Sequence, residues 1–169
     1  SLPRFIIGGR RPFFVRGEPD VSIRPYAPSD FGSCLDLFDG NVPEFFAAAE
    51  RAEFVAFLKE GPAAAYLVLE LDGVVVAAGG LSAGSSGWVT LDWGMVARAL
   101  QHAGLGRRLL VARLALARQM PGMRGVRLET SQKTCGFYKT FGFHVTGVVP
   151  HGFGPGLDGV AMVLPFAKD

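Results

Sequence analysis

Short runs of apolar and β-branched residues, bounded by glycine, proline and aspartate, predict a series of strands along the chain. Asp72-Gly73 separates two of these runs and is typical of a two-residue hairpin connection. The glycine- and serine-rich stretch from Gly79 to Gly87 is predicted to be a turn before the next strand. The predicted strands are 21–26, 66–71, 74–78, 88–96, 125–130, a strand that begins at Phe143, and 160–165.

Apolar residues at helical spacing predict two helices between the first and second strands. One follows Ser29, which is a good N-cap, and runs to about Phe38. The other spans residues 44–60 and ends where glycine and proline stop it. A shorter helix is predicted after residue 130, where Phe137 and Phe141 lie four residues apart and would share a face directed at the core.

A longer helix is predicted from Leu105 to Gln119. Arg113 and Arg118 fall outside its apolar stripe, so we expect both to lie on a solvated face. The stripe is formed by Leu105, Leu109, Ala112, Leu116 and Met120.

Length and composition predict one domain, residues 21–169, after an N-terminal extension of residues 1–20 that holds four arginines. With 49% hydrophobic and 19% charged residues, general disorder is excluded. A net charge of +2 argues against a dedicated nucleic-acid binder, and no apolar run has the length of a membrane span. Cys34 and Cys135 show neither metal-ligand spacing nor a disulfide framework, so we expect a reduced, cytoplasmic protein without a metal site.

The stretch from Leu91 to Leu110 indicates a strand, a turn and the start of a helix. Gly104 and Gly106 lie where the turn becomes the helix, and glycine lets the backbone approach a ligand closely. The first N–H groups of a helix have no internal partner and lie at the positive end of its dipole, which makes them a site for phosphate. Arg107 and Arg108 in the first turn are unfavourable against that dipole unless an anion is bound.

Spacing excludes two common phosphate loops. Gly106 is not followed by the Lys-Ser/Thr pair of a P-loop, which also excludes a nucleotide hydrolase of that type, and Leu109 stands where a dinucleotide fingerprint has its third glycine. What remains is Gln101-x-x-Gly104-x-Gly106 after a strand. A second pattern, Phe137-Tyr138-x-x-x-Gly142-Phe143, follows a later strand.

Together these patterns resemble the GNAT superfamily of acetyl-CoA-dependent N-acetyltransferases. Its motif A reads Arg/Gln-x-x-Gly-x-Gly/Ala, and many members later carry Asn-x-x-Ala-x-x-Leu-Tyr-x-x-x-Gly-Phe. Here Tyr138 is in register, whereas Ser131 stands at the Asn position and Thr134 at the Ala position. The resemblance extends over about residues 21–166. It implies an α/β (α+β) fold, a mixed sheet of six or seven strands with about four helices on both faces and two central parallel strands that splay apart.

The resemblance implies acetyl-CoA as the cofactor, bound in that splay. The pantetheine arm would pair with strand backbone as an added strand does, and an N–H near Val96 would polarise the thioester carbonyl. The implied cofactor residues are Gly94, Met95 and Val96 for pantetheine, then His102, Ala103, Gly104, Leu105, Gly106, Arg107 and Arg108 for the pyrophosphate, with Ser131, Phe137 and Tyr138 beside the pantetheine arm and the thioester.

The chemistry implied is direct attack of a neutral amine on the thioester in a ternary complex. Tyr138 would be the acid that protonates the leaving thiolate. The base stays open between three carboxylates of predicted strands. Asp92 is the first choice, because strand parity places it on the same face as Val96. Glu129 and Glu70 are the alternatives.

The acceptor implied is a primary amine of a small molecule or a peptide, and its site would be built from residues 39–46 and 150–158. The second segment is too rich in glycine for a regular strand and is predicted to be a mobile lid. The expected function is therefore N-acetyl transfer, and the alternative is a non-catalytic acyl-CoA-binding module with the same fold. We expect no nucleic-acid or membrane partner, and a homodimer stays open.

Overall fold

One mixed sheet with helices on both faces makes up the part of the chain that the structure describes. This structure is a computed structural model and describes residues 20–61 and 65–167, so the predicted extension 1–20 lies outside it except for Asp20. The strands are β1 (Val21–Pro25), β2 (Ala65–Leu71), β3 (Val74–Ala83), β4 (Trp88–Val96), β5 (Gly125–Thr130), β6 (His144–Gly154) and β7 (Leu157–Pro165). The helices are α1 (Phe31–Gly40), α2 (Arg51–Glu60), α3 (Leu105–Gln119) and α4 (Cys135–Lys139), with 3-10 turns at Pro28–Asp30, Ala48–Glu50 and Arg98–Leu100.

The sheet opens between its two central strands. Its order is β1-β2-β3-β4-β5-β7-β6, and β4 and β5 are parallel neighbours, whereas the other neighbours are antiparallel. The ladder between β4 and β5 stops at Thr90 and Arg127 after three residue pairs. Since both strands continue beyond that point, they diverge, as the resemblance implies.

Helices cover both faces of the sheet. Phe38 of α1 and Phe54 of α2 are fully buried against a face that includes Met95 of β4. On the other face, Leu110 and Leu114 of α3 pack against β5 and β7. Within residues 20–61 and 65–167, no helix has the length and apolar character that crossing a bilayer requires.

The turn predicted from Gly79 to Gly87 is wrong in its first half, because β3 continues through Gly79 and Gly80. A Cβ on Gly79 would lie 2.8 Å from Cζ of Arg113, and a Cβ on Gly80 would lie 2.8 Å from Cδ2 of Tyr66. Glycine at these positions therefore permits close packing inside a strand rather than a turn.

The helix predicted over residues 44–60 is correct only in its second part, which is α2. Turns and a 3-10 turn precede it. The reason is the Asn41 carbonyl oxygen, which accepts hydrogen bonds from the N–H groups of Phe45 and Phe46 at 2.8 and 3.1 Å. The chain turns back on itself at this point before a regular helix can begin.

The glycine-rich segment 150–158 forms the end of a hairpin, so the prediction that it cannot be strand is wrong. β6 runs into it and pairs with β7 as far as Gly154, with an irregular register after Val149. The side chain of Gln132 holds the hairpin end: Nε2 donates to the Gly156 carbonyl at 2.8 Å, and Oε1 accepts from the Asp158 N–H at 2.9 Å. This support comes from a distant part of the chain.

A substitution at the closed end of the splay tests how tightly β5 is held. Gly125 pairs with Trp88 on one side and Pro165 on the other, and a Cβ there would lie 2.5 Å from the Leu164 carbonyl oxygen. We expect Gly125→Ala to lower the free energy of unfolding by about 1–3 kcal/mol, because overpacking forces backbone to shift. Equilibrium denaturation measures the change. Gly147→Ala in β6 meets no described atom within 4 Å and is the matched control. Equal stability of the two variants would contradict the prediction.

Candidate functional site

The gap between β4 and β5 opens into a cleft of about 1,470 Å³. Its walls come from β4, the start of α3, α4 and the turns after α1. Leu105 does not line it, since this side chain is buried against the sheet, and neither do the exposed residues Ala103 and Arg108. The predicted site residues that do line the cleft are Asp92, Gly94, Met95, Val96, His102, Gly104, Gly106, Arg107, Ser131, Phe137 and Tyr138.

The start of α3 is uncovered. Gly104 is its N-cap and has a left-handed backbone with φ 81°. No described atom lies within 4 Å of the place where its Cβ would stand. A Cβ on Gly106 would lie 3.5 Å from Cγ2 of Val96 and 3.7 Å from Cζ of Phe137, so this glycine brings the helix close to β4 and α4. A 15-residue helix with an open N-terminus suits a phosphate group.

Arg107 has a structural partner in addition to any anion. Its Cζ lies 5.1 Å from the ring centroid of Phe141. A cation–π contact of this kind offsets part of the unfavourable interaction with the helix dipole. The presence of Arg107 at the helix start is therefore explained partly by Phe141, and it is weaker support for a bound anion than the sequence indicates.

A bulge in β4 changes which of its side chains face the same way. The pairs with β3 are Ala78 with Met95 and Gly80 with Asp92, so β4 has one extra residue between them. Trp93 lies in this bulge with φ 48°. Parity reverses there: Leu91 packs with the α3 side, whereas Trp93, only two residues later, packs with the α1–α2 side, and Val96 packs with the α3 side again. Asp92 and Val96 therefore lie on opposite faces, and the parity argument for Asp92 as the base is wrong.

Asp92 nevertheless lines the cleft. Its carboxylate accepts a hydrogen bond from Oγ of Ser82 at 3.1 Å. Burial raises the pKa of Asp92 above its ordinary value, while that hydrogen bond and the charge of Arg113 act in the opposite direction. A raised pKa makes a carboxylate a more effective general base near neutral pH. Of the two alternatives, Glu129 lines the cleft, whereas Glu70 lies outside it in an ion pair.

Arg113 is buried, contrary to the prediction of a solvated face, with only 3% of its surface exposed. Its Nε and Nη2 donate to the Gly80 carbonyl oxygen at 3.1 and 2.7 Å, and Nη2 also donates to the Asp92 carbonyl oxygen at 3.1 Å. These carbonyls lie beside the bulge. The predicted stripe is also displaced round the helix, since the buried residues of α3 are Leu105, Leu109, Leu110, Arg113, Leu114 and Ala117. Arg118 is exposed, as predicted.

Tyr138 is half-buried in α4, a helix of only five residues. Its ring packs edge-on against Phe137 and Phe143, with centroid distances of 5.2 and 5.7 Å. Phe137 does not face the core as predicted: it is 37% exposed and lines the cleft near Gly106. In so short a helix, four-residue spacing does not produce a buried stripe.

Ser131 is buried at the start of the turn into α4. Its carbonyl oxygen accepts from the N–H groups of Thr134 and Cys135 at 3.2 and 3.0 Å. Its hydroxyl oxygen accepts from the N–H of Lys133 at 3.2 Å. The hydroxyl proton is still available for donation to a ligand.

Asn41 joins the two ends of the cleft, a role that sequence reasoning missed. Its side chain is 1% exposed. Nδ2 donates to the carbonyl oxygens of Leu37 and Val96 at 2.8 and 3.0 Å, and Oδ1 accepts from Nε2 of Gln101 at 2.9 Å. One buried amide thus connects α1, the end of β4 and the loop before α3. No local pattern distinguishes it from an ordinary helix-ending asparagine.

The end of the cleft near α2 carries carboxylates among aromatic rings. Burial raises the pKa of Glu50, the N–H of Ala47 lowers it, and the charge of Glu53 raises it further. Glu44 forms an ion pair with Arg98. Both segments predicted to form the acceptor site contribute here, through Asn41, Glu44, Phe45 and Phe46 from the first and Phe153 from the second.

Comparison with known proteins gives one family and one fold. The model of the acetyltransferase (GNAT) family matches residues 34–143. No curated protein matches the sequence. Ard1 from Thermoplasma volcanium is 24% identical, with 88% of this chain and 99% of that chain covered and a TM-score of 0.73. The ribosomal-protein-S18-alanine N-acetyltransferase from Escherichia coli is 17% identical, with 89% of this chain and 96% of that chain covered and a TM-score of 0.74. The structure of yncA from Salmonella typhimurium contains its cofactor acetyl-CoA. That protein is 22% identical, with 89% of this chain and 96% of that chain covered and a TM-score of 0.66. These likenesses confirm the predicted fold.

The Asn41 network makes a stability prediction. Asn41→Ala leaves the buried carbonyl oxygens of Leu37 and Val96 without that donor, so we expect a loss of about 1–3 kcal/mol in the free energy of unfolding. Equilibrium denaturation measures it. Asp39→Ala is the matched control, because Asp39 lies two residues earlier, at the end of α1, but forms an exposed ion pair with Arg51. If Asn41→Ala is no less stable than the control, the network does not hold the cleft together.

Proposed function

Because the chain belongs to the acetyltransferase (GNAT) family, we propose that it transfers the acetyl group of acetyl-CoA to a primary amine of a small molecule or a peptide. One observation carries the proposal. A single cleft contains the uncovered start of α3, the edge of β4 from which β5 diverges, and the phenol of Tyr138. A site that only bound an acyl-CoA would need the first two features but not the third.

The residues present fit coenzyme A. The start of α3 offers backbone N–H donors, and Arg107 offers positive charge, to a pyrophosphate. Beyond Thr90, the edge of β4 that faces β5 pairs with no described strand. This edge includes the backbone from Gly94 to Val96, and it can take the amides of a pantetheine arm as it would take another strand.

Acetyl-CoA supplies an acetyl group activated as a thioester, and the side chains of the cleft manage protons around it. Asp92 and Glu129 are the carboxylates placed to take a proton from the ammonium form of the acceptor. A backbone N–H near Val96 stabilises the oxyanion formed from the thioester carbonyl. The Tyr138 hydroxyl gives a proton to the departing sulfur. The attacking nitrogen loses a proton as the amide forms, so the number of protons is the same before and after the transfer.

The acceptor end of the cleft suits an amine. Glu44, Glu50 and Glu53 line it, and carboxylates attract an ammonium group from solution. Peptide amines are included because the Escherichia coli neighbour is named for acetylating an alanine of a ribosomal protein. The acceptor itself is to be found by screening amines with acetyl-CoA and measuring released thiol.

Cofactor binding is tested with two matched glycine substitutions. Gly104 and Gly122 both have positive φ, 81° and 75°, and a Cβ at either meets no described atom within 4 Å. Gly104→Glu places bulk and negative charge at the start of α3, so we expect it to abolish acetyl-CoA binding. Gly122→Glu also puts a non-glycine residue at a positive φ, but it lies outside the cleft lining, so this variant should bind acetyl-CoA normally.

Thermal unfolding with and without acetyl-CoA measures the difference. At a hundred times Kd, binding stabilises the wild type and Gly122→Glu by about 2.7 kcal/mol, which raises Tm. An unchanged Tm of the wild type at saturating acetyl-CoA would overturn the proposed function. Normal binding by folded Gly104→Glu would move the phosphate site elsewhere.

The role of Tyr138 is tested by Tyr138→Phe. The ring contacts with Phe137 and Phe143 remain, so the fold and acetyl-CoA affinity should change little. Without the hydroxyl, the leaving sulfur loses its acid, and we expect kcat to fall about 10²–10⁴-fold at saturating acetyl-CoA. Tyr26→Phe, outside the cleft lining, is the control. A Tyr138→Phe enzyme as fast as its parent, with chemistry rate-limiting, would remove Tyr138 from the reaction.

Binding of acetyl-CoA by the wild type without turnover of any amine would favour the alternative function, a non-catalytic acyl-CoA-binding module.

A further inference from the structure

The charge of Arg113 is not accounted for by the ion pairs of the fold. The ion pairs within residues 20–61 and 65–167 are Arg24 with Asp30 and Glu70, Arg51 with Asp39, and Arg98 with Glu44. Arg113 belongs to none of them. It is 3% exposed, and its hydrogen-bond acceptors are the neutral carbonyl groups of Gly80 and Asp92. A buried cation without a carboxylate partner is costly. Negative charge that arises beside it during function would offset this cost.

The backbone is shaped to hold the guanidinium against the cleft. A Cβ on Gly79 would lie 2.8 Å from Cζ of Arg113, and a Cβ on Gly94 would lie 2.9 Å from Nη1. Nη1 takes no part in the hydrogen bonds to Gly80 and Asp92, and the guanidinium also forms a side-chain hydrogen bond with Tyr138, which raises the pKa of Arg113. Arg113 and Tyr138 both line the cleft. Nη1 lies behind Gly94, at the edge of β4 proposed to hold the pantetheine arm.

Three titratable side chains face this guanidinium: Tyr138 from α4, Tyr66 from β2 and Asp92 from β4. Burial lowers the pKa of Arg113, and the three neighbours act in the opposite direction. Arginine remains charged in this situation, because its ordinary pKa is so high. The carboxylate of Asp92 is not within ion-pair distance. The proposed acid, Tyr138, and the buried cation thus adjoin the same part of the cleft.

We propose that Arg113 stabilises the negative charge that develops on the sulfur of coenzyme A as the acetyl group leaves; this rests on the proposed function. Attack by the amine nitrogen forms a carbon–nitrogen bond. Cleavage of the carbon–sulfur bond leaves its electron pair on sulfur, and the Tyr138 hydroxyl supplies the proton that completes the thiol. A fixed positive charge near the sulfur favours the thiolate and therefore the step that forms it. Arg113 acts through its electric field, so it is an electrostatic residue.

The direct test is the titration of coenzyme A bound to the wild type, followed by the ultraviolet absorbance of its thiolate. An opposite charge within a few ångströms lowers a pKa by about 1–3 units. We expect the thiol of bound coenzyme A to titrate lower than that of free coenzyme A by about that amount. A bound thiol that titrates at or above the pH of the free thiol overturns the proposal, and this result needs no variant.

Three variants separate the charge from the packing. Arg113→Met keeps much of the length but removes the charge, and the bound thiol should return towards its free pKa. Arg113→Lys keeps a charge with fewer hydrogen bonds and should retain part of the effect. Arg118→Met, at an exposed arginine of the same helix, should leave the titration unchanged. Affinity for desulfo-coenzyme A, which lacks the sulfur, should be alike in all four proteins. Above the pH at which the thiol ionises, preference for coenzyme A over desulfo-coenzyme A should fall about tenfold or more in Arg113→Met.

The outcomes distinguish this inference from the proposed function. If neither acetyl-CoA nor coenzyme A binds the wild type, both fail together. If acetyl-CoA binds and an amine is acetylated, but the bound thiol titrates alike in the wild type and Arg113→Met, Arg113 is only a packing residue of the β4 bulge. A fall in stability without a shift in that titration leads to the same conclusion. If Arg113→Met does not fold, the wild-type and Arg113→Lys titrations decide.

Discussion

The divergence of β4 from β5 is the constraint on which the rest of the structure depends. A central strand that loses its neighbour leaves backbone groups that must find other partners. Three carbonyls of β4 are taken by side chains from three different elements: Tyr66 donates to Trp93 at 3.1 Å, Arg113 to Asp92 at 3.1 Å and Asn41 to Val96 at 3.0 Å. These donors approach from the two sheet faces and the loop after α1, so they satisfy β4 without closing the gap. The cleft exists because the strand is stabilised from elsewhere.

The bulge in β4 links the proposed acceptor side of the cleft to the proposed cofactor side. It turns Trp93 towards α1 and α2, where the ring centroid lies 5.0 Å from that of Phe54 and 6.1 Å from that of Phe46. The rings of Phe38 and Phe57 complete this cluster at 6.3 and 6.4 Å. The helices that carry the proposed acceptor site are therefore packed on the same residue that ends the regular part of β4. A change in the bulge would alter both ends of the cleft together.

Features fixed by local backbone chemistry were predictable from the sequence, and features fixed by distant partners were not. The Asp72-Gly73 hairpin has the positive φ angles that its turn type needs, 50° and 81°, and Gly104 begins α3 in the left-handed region. The bulge gave no such signal, because the residue with positive φ is Trp93, and parity then misplaced Asp92. The acceptors of Arg113 lie 33 and 21 residues away, and one of the two acceptors of Asn41 lies 55 residues away, so periodicity misassigned the first residue and overlooked the second. The cofactor contacts, the homodimer and the cytoplasmic location stay predictions.

The fit between Arg113 and two glycines limits the order in which this arrangement could have evolved. With the guanidinium of Arg113 in its present place, a Cβ at position 79 or 94 would lie within 3 Å of it, so a side chain at either position would force the guanidinium to move. An arginine that arose before both glycines would have to place its guanidinium elsewhere. Once the arginine holds this place, a larger residue at either glycine would displace the guanidinium from its acceptors. The residues at these three positions therefore depend on one another, and we expect related sequences to carry all three residues together or none of them.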